Sequence, residues 1–145
     1  MIESDLTTTA SPAVVHELLV DVDSWRLWSP HIASVESSEP RIDVGWAGRT
    51  RAFFSPLSTA MVVDDVYPDG GYDWHSTLGP WKLRYRNRVE HADGGARIRF
   101  SAGLDGPLSS ILQLIVSPIS AFGQRRRIRR LAHLAETVER RLTGH

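Results

Sequence analysis

Cysteine is absent from this chain, and lysine occurs only once among the 17 basic residues. Without cysteine, disulfide bonds and thiolate chemistry are excluded, and we expect a cytoplasmic protein. The basic residues are balanced by 17 acidic residues, so the formal net charge is zero. Because no overall field attracts a polyanion, we expect no nucleic-acid partner.

Long apolar runs are also missing. The longest apolar-rich stretch, residues 111–122, is too short to cross a bilayer and contains a proline. The first ten residues include two acids and no apolar run, so they do not resemble a signal peptide. With 145 residues and a hydrophobic content of 41%, the chain suits one globular domain over residues 1–145.

Sequence motifs of catalytic and metal sites are lacking as well. The six histidines show no paired ligand spacing, and His133 beside Glu136 is a weak basis for zinc binding. The sequence contains neither a glycine-rich phosphate loop nor a nucleophile elbow. We therefore expect no catalytic residue, no metal and no cofactor.

The most distinctive segment that is present is SPAVVHELLVDVDSWRLWSP, residues 11–30. Ser11 is placed to cap a short helix, because a serine side chain accepts hydrogen bonds from the first helical turn. Ser24 occupies a similar position before a second turn that carries Trp25 and Trp28, and Pro30 ends that turn. Two tryptophans exceed what so short an element needs, so we expect them to cover one end of an interior space.

The apolar period is close to two between residues 32 and 104 and close to 3.6 after residue 108. Turns rich in glycine and proline divide the first of these regions. The predicted strands are residues 2–9, 32–38, 49–55, 58–66, 72–78, 81–90 and 96–104. With the two short helices and a long helix over 108–142, the predicted element order is β-α-α-β6-α.

Alternation along the strands assigns one face of each strand to the interior. In the strand 81–90 the inward residues are Trp81, Leu83, Tyr85, Asn87 and Val89, and the outward residues are Lys82, Arg84, Arg86 and Arg88. An inward amide at Asn87 needs a partner, which is either the backbone, a water molecule or a ligand carbonyl. The strand 49–55 has no decidable parity, so Arg49 and Arg51 both stay candidates for the interior.

These features together resemble the START-like, or SRPBCC, superfamily, of the polyketide cyclase/dehydrase type. The resemblance lies in the opening strand, the segment 11–30, Val44-Gly45, the strand start DGGARI at residue 93 and the DGP at residue 105. It implies an α+β helix-grip fold, in which a curved antiparallel sheet of about seven strands wraps around the long C-terminal helix. It also implies a deep cavity and a small hydrophobic ligand, but no single reaction.

Twelve residues are candidates for contact with that ligand. Most are aromatic or aliphatic, as expected of an apolar pocket with a few polar anchors, although any one aromatic residue could equally fill the core. The candidates are Trp28, Arg51, Trp74, Trp81, Leu83, Tyr85, Asn87, Phe100, Leu112, Ile115, Ile119 and Phe122.

Three functions are compatible with the sequence. The first is binding of a lipid, a polyketide or an aromatic metabolite without catalysis. The second is a polyketide cyclase or dehydratase of the aromatase/cyclase type. The third is an interaction protein, like the coenzyme Q-binding or ribosome-associated members of the superfamily, and it would use basic patches. A weak contact with an anionic membrane is expected through Arg125, Arg126, Arg127, Arg129 and Arg130, and the expected state is a monomer or a homodimer.

Overall fold

The computed structural model describes residues 2–30, 32–37, 39–52 and 58–144, and within these ranges it leaves out the side chains of 52, 78 and 114–120. The strands are β1 (Ile2–Thr8), β2 (Ile32–Ser37), β3 (Ala47–Ala52), β4 (Ser58–Tyr67), β5 (Gly71–Leu78), β6 (Trp81–Ala92) and β7 (Gly95–Asp105). The helices are α1 (Pro12–Val20), α2 (Trp25–Trp28) and α3 (Ser109–Leu142), and the short 3-10 turn Val22–Ser24 joins the first two.

The seven strands form one antiparallel sheet in the order β1-β7-β6-β5-β4-β3-β2. The first strand pairs with the last, from Ile2 opposite Ala102 to Thr8 opposite Ala96. The curved sheet and the long helix α3 make the α+β helix-grip fold, so the predicted fold class is confirmed. Among the described residues, no helix is long and apolar enough to cross a membrane.

The predicted elements agree with the observed ones except at some of their ends. β3 begins at Ala47, two residues before the predicted strand, because Ala47 is already paired with Val62 of β4. The predicted end of that strand, residues 53–55, lies outside the described residues. The other strands and α3 begin and end within two residues of the predicted positions.

The caps of the segment 11–30 are partly as predicted. The Ser11 hydroxyl oxygen accepts a hydrogen bond from the backbone N–H of Val14 at 3.4 Å, as expected of an N-cap. The prediction for Ser24 was wrong, because its hydroxyl donates backwards to the carbonyl of Leu18 at 2.6 Å. The cap of this region is instead Asp21, whose carboxylate accepts from the N–H of Asp23.

One end of the space between sheet and helix is closely packed. Leu131 and Ala135 of α3 are fully buried there, together with Leu19 of α1 and Ile98 of β7. Burying a side chain of this size stabilises the fold by roughly 1.5–3 kcal/mol relative to leaving it exposed. This end therefore holds α1 and α3 against the sheet.

A histidine joins α1 to the turn between β4 and β5. The buried His16 side chain accepts, through Nδ1, a hydrogen bond from the backbone N–H of Gly71 at 3.0 Å. Burial lowers the pKa of His16 below its ordinary value of 6.5, although nearby Asp69 opposes the shift. Gly71 itself has a φ of +85°, and a Cβ atom there would lie 1.9 Å from the carbonyl oxygen of Asn87. Only glycine fits this position without a shift of the backbone.

Candidate functional site

The other end of the interior contains a cavity that is partly open to solvent. It offers about 90 Å³ to the centres of water molecules. One water needs about 10–15 Å³ on such a measure, so the cavity has room for several waters or for part of a small ligand. The described wall residues are Trp25, Trp28, Ser29, Ile32, Thr50, Met61, Tyr72, Trp74, Tyr85, Asn87, Phe100, Ser101, Gln124 and Arg127.

The two tryptophans of α2 lie on this wall but differ in their hydrogen bonding. The indole N–H of Trp25 donates to the carbonyl of Leu19 at 2.9 Å, and its ring meets Trp46 edge-on with a centroid distance of 5.8 Å. Trp28 is only 4% exposed, and its indole N–H has no acceptor among the described residues. Trp25 therefore anchors α2 to the core, whereas Trp28 brings an unsatisfied donor to the cavity end of the interior.

Aromatic rings from neighbouring strands form one side of the cavity. Trp74 of β5 and Tyr85 of β6 are paired across the sheet, and their rings stack with a centroid distance of 3.9 Å and an interplanar angle of 11°. On β7, Phe100 lies 6.1 Å from the ring of Trp28. Flat apolar surfaces of this kind suit the body of an aromatic or lipidic ligand.

The predicted amide at Asn87 has a protein partner. The side-chain amide of Asn87 donates a hydrogen bond to the hydroxyl oxygen of the fully buried Tyr72, which faces it across β5 and β6. Burial is the main reason that the pKa of Tyr72 is raised, and it also raises the pKa of Tyr85. Both phenols are therefore neutral at physiological pH and can act as hydrogen-bond donors.

Helix α3 contributes two polar residues that the sequence analysis did not assign to the interior. Gln124 is buried and accepts a hydrogen bond from the hydroxyl of Ser4 at 2.7 Å. Arg127 lies one turn further along the same wall. Counting back four residues from the buried Ile128 and Leu131 gives positions 124 and 127, so the helical period could have identified both.

Arg127 is partly buried, and burial lowers the pKa of its guanidinium below the ordinary value. The negative charges that oppose this shift are those of the Tyr85 and Tyr72 phenolates, which form only at high pH, and not that of a carboxylate. Among the described residues, no aspartate or glutamate forms an ion pair with Arg127, and none lines the cavity. The cavity is therefore aromatic with a positive group on the helix side.

The structure places five of the predicted ligand-binding residues on the cavity wall. These five are Trp28, Trp74, Tyr85, Asn87 and Phe100. Ile115 and Ile119 have side chains outside the described part of the structure, so their predicted role stays a prediction.

Five other predicted positions are not on the wall. Thr50 of β3 lies there instead of Arg51, because neighbouring residues of a strand point to opposite faces. The Trp81 indole N–H donates to the carbonyl of Pro107 at 2.7 Å, at the turn before α3. Leu83 and Leu112 are half-buried outside the wall. Phe122 is 69% exposed, because it is two residues from Gln124 and so points about 200° away around the helix.

The basic residues divide into three groups, of which the sequence analysis separated the sheet residues from the helix residues but did not separate Arg127 from its neighbours. Arg127 was wrongly placed in a membrane-facing cluster, since it lines the cavity, whereas Arg125, Arg126, Arg129 and Arg130 are exposed. On the outer face of the sheet, arginines pair with acids on a neighbouring strand. The pairs are Arg84 with Asp105, Arg88 with Asp73, Arg97 with Asp5, and Arg99 with both Glu3 and Glu90. This pairing neutralises much of the positive charge on the outer face of the sheet.

The geometry defines a class of protein, namely a helix-grip domain with a cavity between its sheet and its long helix. No cluster of histidine, aspartate and glutamate in the described ranges could hold a metal ion. A family model for polyketide cyclase / dehydrase and lipid transport matches residues 2–139. The match covers nearly the whole chain, so the protein belongs to this family and to the START-like fold class predicted above.

Solved structures support the fold at low sequence identity. A hypothetical protein from Helicobacter pylori, jhp0584, has a TM-score of 0.78 at 13% identity and covers 92% of this chain and 86% of its own. The Ara h 8.0201 structure has a TM-score of 0.67 at 19% identity, over 94% of this chain and 97% of that one.

A third similar structure is DynU16, described as a putative protein in the dynemicin biosynthetic locus. Its TM-score is 0.68 at 18% identity, over 95% of this chain but only 48% of DynU16. Identities this low establish the fold and not the ligand. A search of curated proteins found no match to this chain.

Proposed function

We propose that this protein binds a small, largely apolar ligand in the cavity between the sheet and α3. The observation that carries the proposal is the wall itself, where the stacked Trp74 and Tyr85 rings face a space that is partly open to solvent. Apolar pockets with a few polar groups are the usual sites of small-molecule binding. The cytoplasmic location and the monomeric or dimeric state stay predictions.

Cavity filling tests this proposal directly. A neutral fluorescent probe, phenylnaphthylamine, is expected to bind with increased emission, because its emission rises in apolar surroundings. Thr50→Phe puts a ring into the cavity wall and should weaken probe binding at least roughly tenfold, a loss of about 1.4 kcal/mol. The matched control is Thr7→Phe, the same change at an exposed position of β1.

Two results would contradict the proposal. One is failure of the wild-type protein to bind the probe at all. The other is equal weakening by the two threonine variants, which would place the probe on the surface. Native mass spectrometry of protein purified without detergent adds an independent readout, since a copurified ligand would appear as a discrete mass that Thr50→Phe removes.

Cyclisation of a poly-β-ketone is a second candidate, favoured by the presence of Arg127 and of the phenols of Tyr72 and Tyr85 on the same cavity wall. Such a cationic group with nearby donors can stabilise an enolate oxygen during ring closure. With a poly-β-ketone thioester as substrate, Tyr85→Phe should reduce turnover without reducing stability. Absence of turnover by the wild-type protein, or unchanged turnover in Tyr85→Phe, would remove this candidate.

A further inference from the structure

The cavity contains a positive charge that has no acidic partner among the described residues. Arg127 lies on the wall, and the described residues offer it two neutral phenols but no carboxylate. Other partly buried arginines have acidic partners, as Arg88 has in Asp73 at 2.8 Å and Arg99 has in Glu3 at 3.1 Å. The lack of such a partner therefore sets Arg127 apart from these arginines.

An unpaired charge in a partly buried site is unfavourable, because the site solvates a guanidinium less well than water does. The lowered pKa of Arg127 has the same cause. The next interior side chains along α3, those of Ile128 and Leu131, are aliphatic and buried. An aliphatic residue at position 127 would therefore extend this apolar face of the helix. A charged residue in this place consequently weakens the unliganded fold, which points to a partner that arrives from outside.

The neutral polar groups nearby are also suited to an oxygen-rich partner. The Trp28 indole N–H is buried without an acceptor among the described residues, and an indole N–H can only donate. The Tyr85 phenol lies on the same wall and is neutral because burial raises its pKa. The described wall thus combines one cation with several donors and has no acidic side chain.

We propose that the ligand of this cavity is an amphipathic carboxylate, whose apolar body lies against Trp74 and Tyr85 and whose carboxylate pairs with Arg127. This inference rests on the proposed function and makes it more specific. A guanidinium offers planar, paired N–H donors that match the two oxygens of a carboxylate, so the pairing also orients the ligand. It predicts that the acid binds in preference to a neutral analogue of the same shape.

Matched probe pairs test this preference. Naphthalene carboxylate and naphthalene carboxamide have the same ring system and nearly the same size, and decanoate and decanamide form a second, aliphatic pair. By isothermal titration calorimetry at neutral pH, each acid should bind the wild-type protein about ten- to hundredfold more tightly than its amide, the range expected for a hydrogen-bonded charge pair.

Substitution at position 127 then assigns the preference to this guanidinium. Arg127→Gln should reduce the acid-to-amide ratio to near one, because the glutamine side chain has no charge to pair with the carboxylate. Arg127→Lys should restore part of the ratio, because it keeps the charge but not the paired donors. The matched control is Arg126→Gln, which removes the same charge from an exposed neighbour and should leave the ratio unchanged.

The outcomes separate the two proposals. If the acid and the amide of both pairs bind the wild-type protein equally well, the carboxylate inference is overturned and the proposed apolar cavity stands. An acid preference that survives Arg127→Gln, or that Arg126→Gln abolishes, overturns the assignment to Arg127. Failure of all four probes, together with failure of the neutral fluorescent probe, overturns the proposed function and this inference with it.

Discussion

The two ends of the interior differ sharply although the same elements form both. On α3 the fully buried Leu131 belongs to the packed end, and Arg127, one turn earlier, belongs to the cavity. On β6 the buried Val89 is preceded, two residues earlier on the same face, by Asn87 of the cavity wall. One end is thus closely packed with apolar side chains, while the other also contains polar groups and the charged Arg127.

The largest expected loss of stability comes from creating a void in the packed end of the interior. Leu131→Ala should lower the free energy of unfolding by about 2–5 kcal/mol, because it removes buried methyl groups and leaves a void. Urea denaturation followed by tryptophan fluorescence measures this change. Leu142→Ala, at a site 72% exposed on the same helix, is the matched control and should change stability by less than about 0.5 kcal/mol. Equal effects would show that Leu131 is not part of a closely packed core.

A substitution at Arg127 should make the cavity end of the interior more like the packed end. Arg127→Met replaces a partly buried cation with an apolar side chain of similar length, so the cavity wall comes to resemble the packed end. We expect the unliganded protein to gain about 0.5–2 kcal/mol of stability, the usual size of a stabilising substitution. Thermal unfolding with and without naphthalene carboxylate measures both the gain and the lost stabilisation by ligand. A loss of stability without ligand would mean that Arg127 has a structural partner.

The packed end contains its own titratable group in His16. Its folded pKa is lowered, so the unfolded chain binds more protons, and stability should fall as the pH drops through 6.5 toward the folded pKa. Protonation also removes the Nδ1 acceptor that the Gly71 N–H uses. His16→Asn, which keeps an acceptor that does not titrate, should flatten this pH dependence in urea melts between pH 5 and 8. The same slope in both proteins would exclude His16 as its source.

The smallest effect is expected at Phe122. Phe122→Ser should change stability by less than about 0.5 kcal/mol, because the side chain is 69% exposed. Binding of phenylnaphthylamine should also stay the same, since Phe122 is not on the described wall. Tenfold weaker probe binding in this variant would show that Phe122 contributes to the binding site, and would contradict its placement outside the cavity.

The sequence predicted the fold and the inward face of β6 because alternation is local and can be read along a single strand. Tyr85 and Asn87 were identified in this way. The interior position of Arg127 was missed because this residue stands in a run of arginines, which usually indicates a solvent-exposed helix face. The helical period counted from the buried Leu131 places Arg127 on the interior face. The arginine-rich composition around residue 127 led to a wrong prediction, whereas the helical period would have predicted the interior position.

β3 and the start of α3 show the other limit of sequence reasoning. The arginines at 49 and 51 flank a threonine, and alternation alone does not say which set faces the cavity until pairing with β4 fixes the strand. The apolar residues at the start of α3 suggested a buried stripe, but Phe122 follows a phase different from that of Gln124 and Ile128. Apolar residues of a long helix can be assigned to its buried face only when the helical period is followed along the whole helix from one position known to be buried.

The central claim, that one end of the interior is a ligand site and the other is not, is tested most directly by nuclear magnetic resonance of the indole N–H groups. The chain has five tryptophans, and single Trp→Phe variants assign their signals. Addition of naphthalene carboxylate should shift the signals of Trp28 and Trp74 on the wall. The Trp46 signal should move little, because its N–H is held by the carbonyl of Glu39 at 2.9 Å away from the wall. Unchanged signals from Trp28 and Trp74, or equal shifts of Trp28 and Trp46, would contradict the account.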